Sequence, residues 1–213
     1  MIYIYLETDT PSEKKETNEA NFIKTIVERF TTKKYDIDYK IIGFGGYKKF
    51  ELQSNILKSH EDEVVKNFLI FDADTKTTGG GFSKRKEYLL EVKNRLDLDF
   101  DLFLYPNNKD DGIFENLLEM IVNEKHRRVI EYFKDYEQKL ALCKNPDGSV
   151  PYETPDQKSR MYAYISAFKR SHREKELFKN KKDWNFVNSE YWNLDSDELK
   201  PLVTFICNMF EEA

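Results

Sequence analysis

Asp72-Ala73-Asp74 sets two carboxylates one residue apart, directly after the short apolar run Asn67-Phe68-Leu69-Ile70-Phe71. Once the chain leaves pleated geometry, both side chains can aim into one crevice, where they repel each other unless a cation or protons neutralise them. Carboxylate oxygens are the hard ligands that Mg2+ and Mn2+ prefer. In a two-metal arrangement such a site activates water and stabilises the leaving oxygen of a phosphoryl transfer. Glu7 stands in a comparable place after Ile2-Tyr3-Ile4-Tyr5-Leu6, and Asp110, Asp111 and Glu115 follow Leu102-Phe103-Leu104-Tyr105. A lone D-x-D also occurs in solvated turns and helix caps. An acid closing a second apolar run is what turns the pattern toward a metal.

The runs that carry these acids are short, β-branched and aromatic, without alternation, as in strands buried on both faces of a parallel sheet. Tyr35 to Ile42 alternates, with Ile37, Tyr39 and Ile41 on one face, and stops at Gly43-Phe44-Gly45-Gly46. Between the strands the apolar residues take helical spacing: Phe22, Ile23, Ile26, Val27 and Phe30, then Leu52, Ile56 and Leu57, then Tyr88, Leu89, Val92 and Leu96. Ile113, Leu117, Leu118 and Ile121 begin another helix. Strands alternating with helices predict an α/β domain over residues 1–122, with a mostly parallel sheet flanked by helices. In such sheets ligands sit at the carboxyl ends of the strands.

Residues 123–213 predict only helices, a helical C-terminal extension packed on that domain, entered through the turn-rich stretch Lys144 to Pro155. Asp195 and Glu198 resemble a capping pair for the last helix. The chain has 213 residues, 34 Lys+Arg against 39 Asp+Glu, a net charge of -5, and 15% aromatic residues. The aromatics exclude wholesale disorder, and the net charge excludes attachment to nucleic acid by bulk positive charge alone. Cys143 and Cys207 have neither zinc nor disulfide spacing and are expected to be small buried residues in a reducing compartment. The apolar N-terminal run is too short for a signal peptide, and no stretch approaches ~18 apolar residues, so the expectation is a soluble cytoplasmic protein.

The haloacid-dehalogenase phosphatase pattern needs Thr or Val four residues after its first Asp, where Lys76 stands here. A glycosyltransferase reading lacks a nucleotide fingerprint upstream, since neither G-x-G-x-x-G nor G-x-x-x-x-G-K-[ST] is present. The order Tyr5-Leu6-Glu7, then Phe71-Asp72-Ala73-Asp74, resembles the Toprim domain of topoisomerases, bacterial primases and nucleases of the overcoming-lysogenisation-defect type. Asp111-Gly112-Ile113-Phe114-Glu115-Asn116-Leu117-Leu118 is similar to the Gly-x-x-Glu-[DN]-Leu-Leu element of an uncharacterised Toprim-like family. Met161-Tyr162-Ala163-Tyr164 and Tyr191-Trp192-Asn193-Leu194 look like that family's Tyr-rich helix and Trp-containing segment. The resemblance implies that Glu7 is a metal ligand or general acid/base, that Asp72 and Asp74 hold Mg2+ or Mn2+, and that Glu115 completes a second metal position. Glu19 matches a further acid of the nuclease branch, or is simply an acid favoured at a helix N-terminus. Thr8 stands where Toprim proteins carry Gly.

Lys169 to Asp183 holds seven Lys/Arg against three acids, and Lys125, Arg127 and Arg128 form a smaller cluster. Each reads either as a guide for a phosphate backbone or as a solvated face. Lys76, Lys84 and Arg85, around Gly79-Gly80-Gly81, are candidate substrate-binding residues on a flexible loop. Trp184, Phe186, Tyr191 and Trp192 read first as packing and second as a stacking platform for bases. His60, His126 and His172 read as surface residues. The implied function is a metal-dependent phosphodiesterase acting on DNA or RNA. The alternative is a non-catalytic Toprim-like subunit that partners another protein, such as an ATPase in a phage-defence system.

Overall fold

The computed structural model describes residues 1–10, 17–31, 38–58, 65–181 and 184–211. Four strands, β1 (Ile2–Leu6), β2 (Tyr39–Gly43), β3 (Lys66–Asp72) and β4 (Asp101–Tyr105), form one all-parallel sheet in the order β2-β1-β3-β4. Every residue of β1 is buried, because its two neighbours take its edges and helices cover both faces. The fold is therefore α/β, as the short unalternating runs require. The expected start of the second strand, at residues 35–37, lies outside the described residues, as does His60.

Strand pleating divides the core in two. Ile2, Ile4, Leu6, Phe68, Ile70, Phe103 and Tyr105 face α1 (Asn18–Phe30) and α5 (Phe114–Met120). Tyr3, Tyr5, Leu69, Phe71 and Leu104 face α2 (Tyr47–Gln53), α3 (Asn55–Lys58) and α4 (Phe82–Arg95). Met161, Tyr164 and Ile165 of α7 (Gln157–Ser166) share the first core, as do Leu202, Ile206, Met209 and Phe210 of α9 (Lys200–Glu211). The C-terminal helices thus pack on the sheet face that α1 and α5 already cover.

Trp184, Phe186, Tyr191 and Trp192 are at most 7% exposed, and the Trp192 indole N–H donates to the Trp184 carbonyl at 3.1 Å. These aromatics pack the extension, the first of the two expected roles. α6 (Arg127–Leu142) and α8 (His172–Lys181) lie farther out, with Tyr132, Tyr136 and Leu142 of α6 exposed. The final helix is entered one residue later than expected. Ser196 caps the preceding turn, while Asp195 pairs with Arg29 of α1 at 2.7 Å. Cys143, expected to be buried, is exposed at the end of α6, and Cys207 is half-buried. Among the described residues neither is in a disulfide. Among the described residues no helix is long and apolar enough to cross a membrane.

Candidate functional site

The chain leaves β1 toward β2 on one side and leaves β3 toward β4 on the other, so the strand order reverses between β1 and β3. Ligands of open α/β sheets bind in the crevice outside the carboxyl ends of the strands at such a switch point. Leu6 pairs with Ile70 and Asp72 with Tyr105, so Glu7, Asp72 and Tyr105 emerge side by side along that edge.

Each carboxylate is positioned by backbone. Glu7 accepts the Tyr47 N–H with Oε1 and the Asp72 N–H with Oε2, both at 3.2 Å, and so ties the exits of β2 and β3 together. Gly43-Phe44-Gly45-Gly46 makes this possible by running alongside the end of β1. Phe44 N–H donates to Leu6 O, Gly45 N–H to Thr8 O and Gly46 N–H to Glu7 O. A Cβ on Gly43 would lie 2.3 Å from the Thr8 carbonyl oxygen, so the close approach lost by having Thr8 after Glu7 is supplied by a glycine on the neighbouring strand.

Glu19 comes from the first turn of α1, which Thr17 caps by accepting the Ala20 N–H at 3.2 Å. Its buried carboxylate takes the Thr8 N–H. Asp72 Oδ1 accepts the Phe114 N–H at 2.8 Å, and the Gly112 N–H donates to the Asp74 carbonyl at 2.8 Å, so the D-x-D segment is docked onto the Gly112-to-Asn116 element. A Cβ on Gly112 would meet Asn116 Oδ1 at 2.8 Å, and that same oxygen accepts the Ile113 N–H. The Gly-x-x-Glu-Asn spacing is therefore a turn that sets Glu115 in the first turn of α5.

Burial raises the pKa of Glu7, and the Tyr47 N–H, Arg85 and the Asp72 N–H offset only part of that. Glu19 is pushed well up, first by burial and then by Asp72, Glu7 and Glu115. Asp72 is pushed well up by burial and by Glu7, and Glu115 is raised by burial against the pull of Lys158. Tyr105, which sequence reading treated only as a strand residue, buries its hydroxyl beside Glu19, and burial, then Glu19, Asp72 and Glu115, push its pKa well up. These four carboxyl groups carry too little compensating charge to ionise together.

Asp74 differs from the others. It is ion-paired with Arg85, which is 4% exposed and lies over the Tyr47 ring with its guanidinium carbon 3.3 Å from the centroid. Arg85 is thus built into the site rather than presented from a loop. Gly79-Gly80-Gly81 is likewise docked, with the Gly81 N–H on the Ala73 carbonyl at 2.9 Å. Lys76 and Lys84 are exposed and do not line the crevice.

The crevice opens into a cleft of about 1480 Å³, larger than the ~300–1,000 Å³ of most small-molecule sites. Its walls are α1 and the start of α7 with the chain before it, and Phe186 closes one side. Acidic residues outnumber the basic ones there, which are Lys24, Lys158 and Arg160. Among the described residues, Lys169, Arg170, Arg173 and Lys175 of the basic stretch and the cluster at Lys125, Arg127 and Arg128 do not line the cleft. Lys125 pairs instead with Glu190, and Arg127 with Glu124. His126 sits edge-on to Phe168 at 4.8 Å.

The donors are the hard oxygens that suit Mg2+ or Mn2+, and their uncompensated burial fits a cation. Yet among the described residues no three Asp, Glu, His or Cys side chains surround a common metal position. The carboxylates are gathered but stop short of coordination geometry. No protein-family model, no curated protein and no solved structure matches the chain.

Proposed function

We propose that the cleft belongs to a Toprim-like, Mg2+- or Mn2+-dependent phosphodiesterase acting on DNA or RNA. The observation that carries this reading is the placement of Glu7 and Asp72 on either side of the switch point, joined by Glu19 and Glu115 with their charged forms penalised. Glu7, Glu19, Asp72 and Glu115 would hold the metal, while Asp74 is engaged by Arg85. When bound, such an ion supplies an activated water and stabilises the charge that develops on phosphorus oxygens.

The chain's own groups do the rest. Backbone N–H groups orient Glu7 and Asp72 at the head of the crevice. Lys24 and Lys158 on the cleft walls offer positive charge to a phosphate that the acidic lining would otherwise repel. Cleavage of single- and double-stranded DNA and RNA with Mn2+ or Mg2+ tests the proposal. Asp72→Asn is expected to lower the rate at least ~100-fold, because even outer-shell partners of metal ligands are worth 10–100-fold. Equal cleavage by the two proteins would overturn it.

A second reading, a non-catalytic Toprim-like subunit working beside a partner such as an ATPase, is favoured by one observation. Both Glu7 oxygens are occupied by backbone N–H groups, and no three ligands converge among the described residues. A stable co-purifying partner together with absent Mn2+ binding would select this reading over the first.

A further inference from the structure

Arg85 is a cation built into the head of the acidic crevice, ion-paired with Asp74. It lies one turn into α4, whose start is pressed against Asp74. A Cβ on Gly80 would fall 2.4 Å from Asp74 Cβ and 2.8 Å from the Ala73 carbonyl oxygen. The Phe82 N–H is anchored on Asp111 Oδ1 at 2.7 Å. This packing delivers the guanidinium to Asp74 Oδ2, under the Tyr47 ring. Tyr47 is also the residue whose N–H orients Glu7, so Arg85 and the first carboxylate of the cluster are fixed by the same element. Arg85 is 4% exposed, and its Nε is buried with no partner. The Tyr105 hydroxyl is buried beside Glu19 within the same cluster.

A guanidinium stays charged at any working pH, and its fork is held in one plane by the aromatic face. A divalent ion drawn to Asp74 would meet that fixed positive charge at contact distance. We propose that Arg85 is a resident counter-cation that takes the place of a second metal ion at Asp74, so that the site accepts one divalent ion, held by Glu7, Asp72, Glu19 and Glu115. The inference rests on the metal-binding reading above and departs from the two-ion arrangement that the sequence resemblance implies.

Isothermal titration with Mn2+, paralleled by counting bound Mn2+ by electron paramagnetic resonance, tests it without any activity measurement. The wild-type chain is expected to bind one ion. Arg85→Gln, which frees Asp74, is expected to bind two, and the double variant Asp74→Asn/Arg85→Gln to return to one. Two ions in the wild type, or one ion in a folded Arg85→Gln, would overturn the inference while leaving the metal site standing. Should Arg85→Gln lose its circular dichroism signal, the wild-type count decides alone, one ion supporting the inference and two ending it. No Mn2+ binding by the wild type would end both this inference and the reading beneath it.

Discussion

Two groups of recessed carboxylates in this chain have opposite electrostatics. Glu119 of α5 and Glu137 of α6 are joined by Arg160 of α7, whose Nη1 donates to Glu119 and Nη2 to Glu137, each at 2.6 Å, and Lys134 pairs with Glu119 as well. Burial works against the Glu119 charge, but Lys134 and Arg160 outweigh it and hold its pKa below the ordinary value. Glu7, Glu19, Asp72 and Glu115 are raised instead, with burial the largest cause for each. The same chain therefore pairs its acids where α5, α6 and α7 must pack and, Asp74 apart, shows no ion pair among the described residues for those where strand ends meet. An unpaired buried charge is costly, so the second arrangement makes sense where a ligand completes it.

The largest expected effect breaks the paired group. Arg160 and Glu137 are 12% and 9% exposed, and removing one partner strands the other. Arg160→Leu is expected to cost about 3–5 kcal/mol in urea denaturation. A loss below about 1 kcal/mol would show that water solvates the pair. Next comes the unpaired group: Asp72→Asn is expected to weaken Mn2+ binding at least ~100-fold in calorimetry. Unchanged Mn2+ affinity would remove Asp72 from the site.

Much of this contrast was readable beforehand, and the unread part has a physical reason. Strands buried on both faces must be apolar throughout, which makes Ile2–Leu6 and Asn67–Phe71 stand out, and the acids that end them are then visible as a set. Glu19 and Glu115 were marked by the Toprim-like resemblance, and the helix start alone gave Glu19 only the role of an acid favoured there. Arg85 was picked out as a substrate-binding residue but not as the partner of Asp74, because its neighbours Gly79, Gly80 and Gly81 looked like a flexible loop, whereas Gly80 lets the start of α4 press against Asp74. Tyr105 read as a strand residue because a phenol packs like an apolar side chain until its hydroxyl is seen facing carboxylates. The cleft wall at Lys158 and Arg160 comes from far along the chain, and no local pattern announces it. The basic stretch was the louder signal, and its described members Lys169, Arg170, Arg173 and Lys175 do not line the cleft.

Metal-free stability should sharpen the comparison by sign. Glu19 has a raised folded-state pKa, so its contribution is fully present below the ordinary Glu value near ~4.3 and is lost as pH rises through the raised one. Burial is the largest cause, followed by Asp72 at the end of β3, Glu7 just past β1 and Glu115 on α5, with the Tyr105 hydroxyl of β4 beside Glu19. Glu119 behaves the opposite way, its contribution being lost as pH falls through the depressed value. Glu19→Gln in EDTA is expected to stabilise the protein by on the order of 1 kcal/mol at pH 8, with the gain shrinking toward pH 4. Thermal melts of both proteins across that range check it, and a gain independent of pH would contradict the electrostatic cause.

The smallest effect should come from a pair that resembles Arg160–Glu137 in geometry alone. Arg29 of α1 reaches both oxygens of Asp195 at 2.7 and 2.9 Å, and it too ties distant parts of the chain together. Its side chains, however, are 45% and 76% exposed, so water already solvates each charge and little is stranded when one is removed. Arg29→Ala is expected to cost about 0.2–1 kcal/mol, less in high salt, against the several kcal/mol for Arg160→Leu. Measured side by side, the two variants set a buried arginine that joins two carboxylates against an exposed one that holds a single carboxylate. Equal losses would mean that contact geometry, rather than exclusion of water, sets the value of these pairs.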